Sequence, residues 1–524
     1  MRHNYLCLVL LALSCDAAKK TDVAPPSDVG PPSDVGSPAD VGPSAPPGDG
    51  ATATDASVLA RNNHANRDGL FVQPALTKAK AATMVLDRSF DGTIAGNVFA
   101  SPLYVDGNPG VFVVATETNQ VSVLNETTGR PVWQRTYGQA AGSTGAGCGN
   151  ITPLGITGTP TIDLAKRTIY FDTAVGTATT ITDHLIHGVS LDDGSERAGW
   201  PVSTKMVSDA GEAFNPVLHN QRSALLLVNG MLYVAYSGHL GDCGQYRGWL
   251  IGIDTNAPQN IKTFKTGATR GGGMWAPGGP ASDGTNVYVA TGNTFGATTW
   301  ARGEAVIRLQ AGAVFSGQTR DFFTPTNWSA LDASDLDLGG SGPLVVDAPG
   351  FTPSHLILAF GKDGNMFALD RDNLGGIGAQ KAVLHVMNGQ IVNASATVTT
   401  PAGTFVTMHG ARNATAQGCP TGSGDLATVK LSGTTIAMVW CAASGGQGSP
   451  IITTTDDRGS EAIVWTAGAA GTNKLHAWDA VTGAVVFDGG ADTVAAVRQL
   501  TSPIAVKGRI IVAGDNKVYV FKPQ

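Results

Sequence analysis

Leu124-Asn125-Glu126-Thr127-Thr128-Gly129-Arg130-Pro131-Val132-Trp133 separates two β-rich runs. An amide side chain three residues before Thr-Gly caps a tight turn, because Asn bonds its own backbone and Gly accepts a left-handed conformation. The Trp beyond the turn is placed to pack across onto a neighbouring unit, where it buries a large apolar area. Trp478-Asp479-Ala480-Val481-Thr482-Gly483-Ala484-Val485-Val486-Phe487 repeats the pattern with Phe for Trp. Leu191-Asp192-Asp193-Gly194 with Trp200 is a looser copy.

Outward from this stretch the chain is periodic. Short β-rich runs recur eight times, from Val111-Phe112-Val113-Val114 to Ile510-Ile511-Val512. Their spacing is roughly 57 residues, a period that indicates a propeller or another repeat array. A strand opened by a small residue and Pro precedes most runs, as at Ser101-Pro102, Thr159-Pro160, Gly342-Pro343, Ser449-Pro450 and Ser502-Pro503. A third strand ending in an acidic or amide turn follows, and then a fourth. Four antiparallel strands per unit make one propeller blade. The expected fold is therefore all-β: an eight-bladed propeller spanning 61–524, with seven blades as the runner-up. The last unit is one strand short. Met84–Phe90 is expected to supply that strand and so close the ring, which removes its open edges.

Composition agrees. Of 524 residues, 68 are Gly and only 14% are charged, against about 25% in an average soluble domain. The formal net charge of -7 argues against nucleic acid as a partner, since phosphate binding needs a basic face. The chain contains no His-Glu-x-x-His, no phosphate-binding Gly-x-x-x-x-Gly-Lys and no Gly-x-Ser-x-Gly elbow. Metalloprotease, nucleotide-hydrolase and common serine-hydrolase chemistries thus have no support.

The N-terminus reads as an address. Residues 1–14 have a charged head and an apolar centre too short to cross a bilayer. Ser14-Cys15 then resembles a bacterial lipoprotein signal, with Cys15 as the acylated new N-terminus. The expected anchor is a membrane lipid tether, in the cell envelope of an exported protein. Residues 15–60 repeat Pro-Pro-Ser-Asp-Val-Gly and are expected to be a disordered spacer. With Cys7 in the signal and Cys15 acylated, Cys148, Cys243, Cys419 and Cys441 remain. Strand direction puts their four loops on one face of the ring. Cys148–Cys243 and Cys419–Cys441 join nearby blades, whereas the other pairings cross the ring.

The Leu-Asn-x-x-Thr-Gly-x-x-x-Trp stretch and its copies resemble the repeat signature of pyrroloquinoline-quinone-type, or quinoprotein alcohol dehydrogenase-like, eight-bladed propellers. The resemblance covers 84–524. It implies the fold and leaves the function divided. The family's enzymes hold the quinone and Ca²⁺ in the central channel, over a flat Trp, with an Asp that takes the alcohol proton. Many also carry an adjacent Cys-Cys pair, and some a Cys-x-x-Cys-His haem site; this chain has neither. The family also contains a lipoprotein that assists outer-membrane assembly.

The leading expectation is a monomeric binding or scaffold propeller. It would need no cofactor and would offer its loop face to an unknown protein or small molecule. A quinone- and calcium-dependent dehydrogenase is the alternative, and an outer-membrane assembly factor is a third reading.

Candidate site residues lie in loops leading into each first strand: Asn150, Thr157, Gln221, Arg222, Arg270, Trp275, Asp335, Asp337, Ser341 and Gln447. Trp275 sits among glycines that let backbone approach a flat ligand, and would be a quinone floor. Arg222, Arg270 and Gln447 are further cofactor-binding candidates. Asp335 and Asp337, with Asp332, offer Ca²⁺ oxygens, and Asp335 or Asp337 would be the base. The competing reading is a self-bonded turn. His239 and Asp242 flank Cys243 as a base pair, as metal ligands or as a loop ordered by the disulfide. His184 and His187 lie three apart on a strand and face opposite sides. Lys362-Asp363-Gly364-Asn365 reads as a hairpin turn.

Overall fold

The computed structural model describes residues 57–267, 269–411 and 413–524. The signal, Cys15 and the spacer up to residue 56 lie outside them. Among the described residues no helix is long and apolar enough to cross a membrane.

The chain forms eight antiparallel sheets around one axis, and the seven-bladed alternative is excluded. The blades occupy 103–136, 161–203, 226–265, 281–324, 344–385, 396–442, 451–487 and 504–523. Each runs from an inner to an outer strand, and successive blades bury their faces against each other. Val113, Val123, Ile162 and Phe171 fill the joint between the first two blades, and Ile186, Trp200, Leu232 and Trp249 the next. The ring closes as expected. Met84–Leu86 pairs antiparallel with Phe521–Pro523 as the outer strand of the last blade.

The repeated stretch explains the joints. Asn125 Oδ1 accepts from the backbone N–H groups of Thr127 (2.9 Å) and Thr128 (3.0 Å), and Gly129 turns with φ +70°. Asp479 does the same for Val481 and Thr482. Trp133 reaches the next blade, donating Nε1–H to Leu191 O at 2.9 Å. Trp440, which lies in an unrecognised copy, donates to Ala480 O at 3.0 Å. Glycine is required where the ring lands: a Cβ at Gly483 would lie 2.6 Å from the Trp440 ring.

One element was not legible in the sequence. Residues 57–73 do not belong to any blade's own hairpins; they thread the channel. Val58 exchanges backbone hydrogen bonds with Tyr104 of the first blade, so residues 57–60, expected as spacer, are part of the fold. The carbonyls of Leu59, Ala65, Asn66, Asp68 and Gly69 accept from inner strands of five further blades. Leu70–Val72 pairs in parallel with Ile452–Thr454. Arg67 donates to Leu225 O of the third blade, and Gln73 to Ala505 O of the eighth. All eight inner strands thus hold this segment, which plugs the channel.

Candidate functional site

At the end of the channel that carries the cysteines, lead-in loops and second-to-third-strand hairpins surround a funnel of about 630 Å³. Both expected disulfides are present, with Cα–Cα separations of 6.0 Å for Cys148–Cys243 and 5.9 Å for Cys419–Cys441. The first ties the loop before Asn150 to the third-blade hairpin, whose Ser237–Asp242 stretch lines the funnel.

Apart from Arg498, which is paired with Asp515, the charged groups gather on the wall made by blades three to five. A short helix, Trp328–Ser334, ends at Asp335 in the left-handed conformation (φ +53°), which Asp tolerates better than most residues. This turn aims two carboxylates at one ammonium. Lys362 Nζ donates to Asp335 Oδ1 at 2.8 Å and is ion-paired with Asp337 Oδ2. Asn293 anchors the same pair: its backbone N–H donates to Asp337 Oδ1 (2.7 Å) and its Nδ2 to Asp335 Oδ1 (2.9 Å). Gly292 makes the approach possible, since a Cβ there would lie 2.1 Å from Asp337 Oδ1.

Burial pushes the Asp337 carboxyl up, and Lys362 only partly offsets this. Burial opposes the charge on Lys362, but Asp337 and Asp335 more than compensate and hold it above the usual lysine value.

Trp275 lines the funnel. Its Cη2 would lie 3.3 Å from a Cβ on Gly340, so the indole crosses from the fourth blade to the loop leading into the fifth. Lys362 Nζ lies 5.3 Å and Arg222 Cζ 5.8 Å from its ring centre. Arg222 makes no hydrogen bond or ion pair with any described residue, and its Nε is buried without a partner. The arrangement is two cations and two carboxylates around a half-buried aromatic face.

The remaining candidates separate. Asn150 lines the funnel. Arg270 does not: it bonds Asp242 O and stacks on Phe295 at 4.4 Å, where it braces the disulfide loop. Gln447 is also outside the lining, with its backbone paired to Ala469. Thr157, Gln221 and Ser341 are buried, and none of the three is in the funnel wall. Asp332 turns away to the Thr294 N–H and hydroxyl, at 2.9 and 2.8 Å. The three acids therefore cap a neighbouring loop rather than their own turn. The side chains of His239 and Asp242 do not pair: the Asp242 N–H donates to His239 O at 3.0 Å, while His239 Nε2 meets Val217 O and Asp242 Oδ1 accepts from Tyr246. Burial pushes His239 down to about 4, which leaves it neutral. His184 meets Asp172 and His187 meets Glu196, on separate sides as expected. Lys362, read only as part of a turn, is the cation of the site, and Asn293 was not singled out at all.

The chain matches no protein-family model and no curated protein. Solved structures do match. It is similar to the quinohemoprotein alcohol dehydrogenase from Comamonas testosteroni, at 15% identity and TM-score 0.61, over 90% of this chain and 81% of that one. It is equally similar to a europium-containing methanol dehydrogenase, at 14% identity and TM-score 0.61, over 90% of this chain and 99% of that one. BamB from Moraxella catarrhalis aligns at 13% identity and TM-score 0.46, over 84% of this chain and 98% of that one. The fold is the eight-bladed propeller of the quinoprotein dehydrogenases.

The residues present fit a planar anionic quinone: a flat floor, an unpaired guanidinium and an ammonium face one cavity of sufficient size. They fit a cation less completely. Asp335, Asp337 and the buried, unpartnered Asn293 Oδ1 supply three oxygens. No group of three or more His, Cys, Asp or Glu is arranged for a metal among the described residues. Further donors would have to come from the bound ligand itself.

Proposed function

We propose that the funnel binds a planar o-quinone of the pyrroloquinoline class and that the protein is a quinone-dependent dehydrogenase acting on an alcohol outside the cytoplasm. One observation carries this. Trp275, Lys362, Arg222, Asp335 and Asp337 come from three blades and are far apart in sequence, yet they converge on one cavity. A scaffold has no need of such a set. The two disulfides support an extracytoplasmic setting.

In this reading Trp275 carries the ring on its face. Arg222 and Lys362 neutralise its carboxylate and quinone oxygens. When bound, such a quinone would supply the acceptor for the two electrons that leave the alcohol. Asp335 is the better candidate for the base that takes the hydroxyl proton, because it is largely exposed to the funnel while Asp337 is buried beneath it. Lys362 holds Asp335 in place through its hydrogen bond to Oδ1. Asp337, Asn293 Oδ1 and Asp335 face any cation the quinone brings.

The test is a titration of residues 57–524 with pyrroloquinoline quinone, with and without Ca²⁺, followed by tryptophan fluorescence and melting temperature. Saturable quenching that Trp275→Leu weakens is the expected result. Unchanged fluorescence at high micromolar quinone would return the chain to the scaffold reading.

A further inference from the structure

The plug carries two arginines into the channel with no carboxylate to meet them. Arg61 is 1% and Arg67 2% exposed. Arg67 is caged by backbone oxygens: it donates to Pro280 O (2.8 Å), Arg61 O (2.9 Å) and Leu225 O (2.8 Å). Arg61 has far less. Its Nη2 donates to Ser449 Oγ at 2.8 Å, and its Nε is buried without a partner. The nearest charge acting on it is another cation, Arg67. A buried ion without a counter-charge is costly even after relaxation, and burial lowers Arg61 only to about 9, so it stays charged at neutral pH.

The surroundings are polar and incomplete. Ser449 Oγ also accepts from the backbone N–H of Ala394 at 3.1 Å. The residues on either side of Ala394 are Asn393 and Ser395, both buried; Asn393 Nδ2 and Ser395 Oγ have no partner, and neither do the acceptors Asn393 Oδ1 and Asn62 Oδ1. Asn62, next to Arg61 in the plug, donates Nδ2 to Ser395 O at 3.3 Å. Three unused donors (Arg61 Nε, Asn393 Nδ2 and Ser395 Oγ) therefore belong to one layer of the channel, beside an unneutralised cation. Buried donors left this way in a native protein call for a bound ion or water.

We propose that this layer binds a small monovalent anion of the halide class, held by Arg61, Asn393 and Ser395, which locks the plug to the sixth and seventh blades. A monovalent ion is favoured over phosphate or sulfate because stripping water from a divalent ion costs far more than one guanidinium returns. The site is independent of the quinone and is present without it.

The test uses residues 57–524 with no cofactor. Protein purified and crystallised in sodium bromide, with no chloride present, is measured at the bromine edge. An anomalous peak within hydrogen-bond distance of Arg61 Nε is expected. Water alone in the layer, with bromide only at the surface, overturns the proposal. In solution, replacing gluconate by chloride at constant ionic strength should raise the melting temperature and then saturate, and Arg61→Met should abolish that rise. An identical rise in Arg61→Met would assign the effect to another site and also overturn the proposal. If Arg61→Met does not fold, the bromide measurement on the unaltered protein decides.

Discussion

The two ends of the channel use charge in opposite ways. In the funnel, Lys362 meets two carboxylates, and Arg222 and Asp335 remain open to a ligand. Around the plug, Arg61 and Arg67 are sealed in with hydroxyls, amides and carbonyls. The same ring of inner strands supports both. One end thus presents charge to the cavity, and the other seals it among neutral polar groups. Substitutions at the plug should therefore cost stability, and substitutions in the funnel should cost binding.

The largest effect is expected at Arg67. Arg67→Met leaves three buried carbonyls without their donor, each worth about 1–3 kcal/mol. A loss of more than 3 kcal/mol in urea unfolding, or no folded protein, is expected; a loss under 1 kcal/mol would show the plug to be a passive filler. Lys362→Met comes next and tests the boundary between the two ends. It strands Asp337, and breaking such a buried pair costs about 3–5 kcal/mol. The deficit has a pH signature. Asp337, already raised by burial, rises further without Lys362. The variant's deficit should be full at pH 8 and shrink as pH falls and Asp337 takes up a proton. A deficit independent of pH would mean that Lys362 acts through packing alone.

Glu117 sharpens the comparison, because it lies beneath the funnel wall with no contact to the plug's arginines. Its Oε2 accepts from the Gly155 N–H at 2.7 Å, its Oε1 has no partner, and burial pushes it up to about 7. Its folded value lies above its unfolded value of 4.5. The folded state therefore binds the extra proton, and the resulting stability is present below pH 4.5 and lost as pH rises through about 7. Removal of the charge in Glu117→Gln should thus raise stability at pH 8 by up to about 3 kcal/mol, the free-energy equivalent of the shift, and leave it unchanged near pH 4. A flat difference across that range would place Glu117 in contact with solvent or a cation.

How much of this was legible in the sequence follows from the range of the interactions. The blades were readable because the Asn125 and Asp479 turns are local and the β-rich runs recur. Ring closure by Met84–Leu86 was readable from a missing strand. Trp275, Asp335 and Asp337 stood out by residue type. Lys362 did not, since a lysine in a hairpin turn is usually a solvated one, and only the fold brings it to Asp337. The plug was hidden for the same reason: residues 57–73 bond to strands up to several hundred positions away, mainly through backbone groups that any side chain can present. Arg270 and Arg222 look alike in sequence. The disulfide loop captures the first and leaves the second free.

The smallest effect on stability is expected at Arg222, and it divides the two ends most cleanly. Arg222 has no hydrogen bond or ion pair to lose, and burial already opposes its charge, so Arg222→Gln should cost less than about 1 kcal/mol in unfolding. If the funnel takes an anionic planar ligand, the same change should weaken quinone binding at least about tenfold, since a hydrogen bond to a charged group is worth about 1.5–3 kcal/mol. Arg222→Lys should recover only part of that loss, because an ammonium cannot give a carboxylate two parallel hydrogen bonds. Weakened binding with unchanged unfolding makes Arg222 a ligand contact. Unchanged binding with lost stability would instead mean that the guanidinium serves the ring through its stack on Trp275, and the division between the two ends of the channel would fail at the floor.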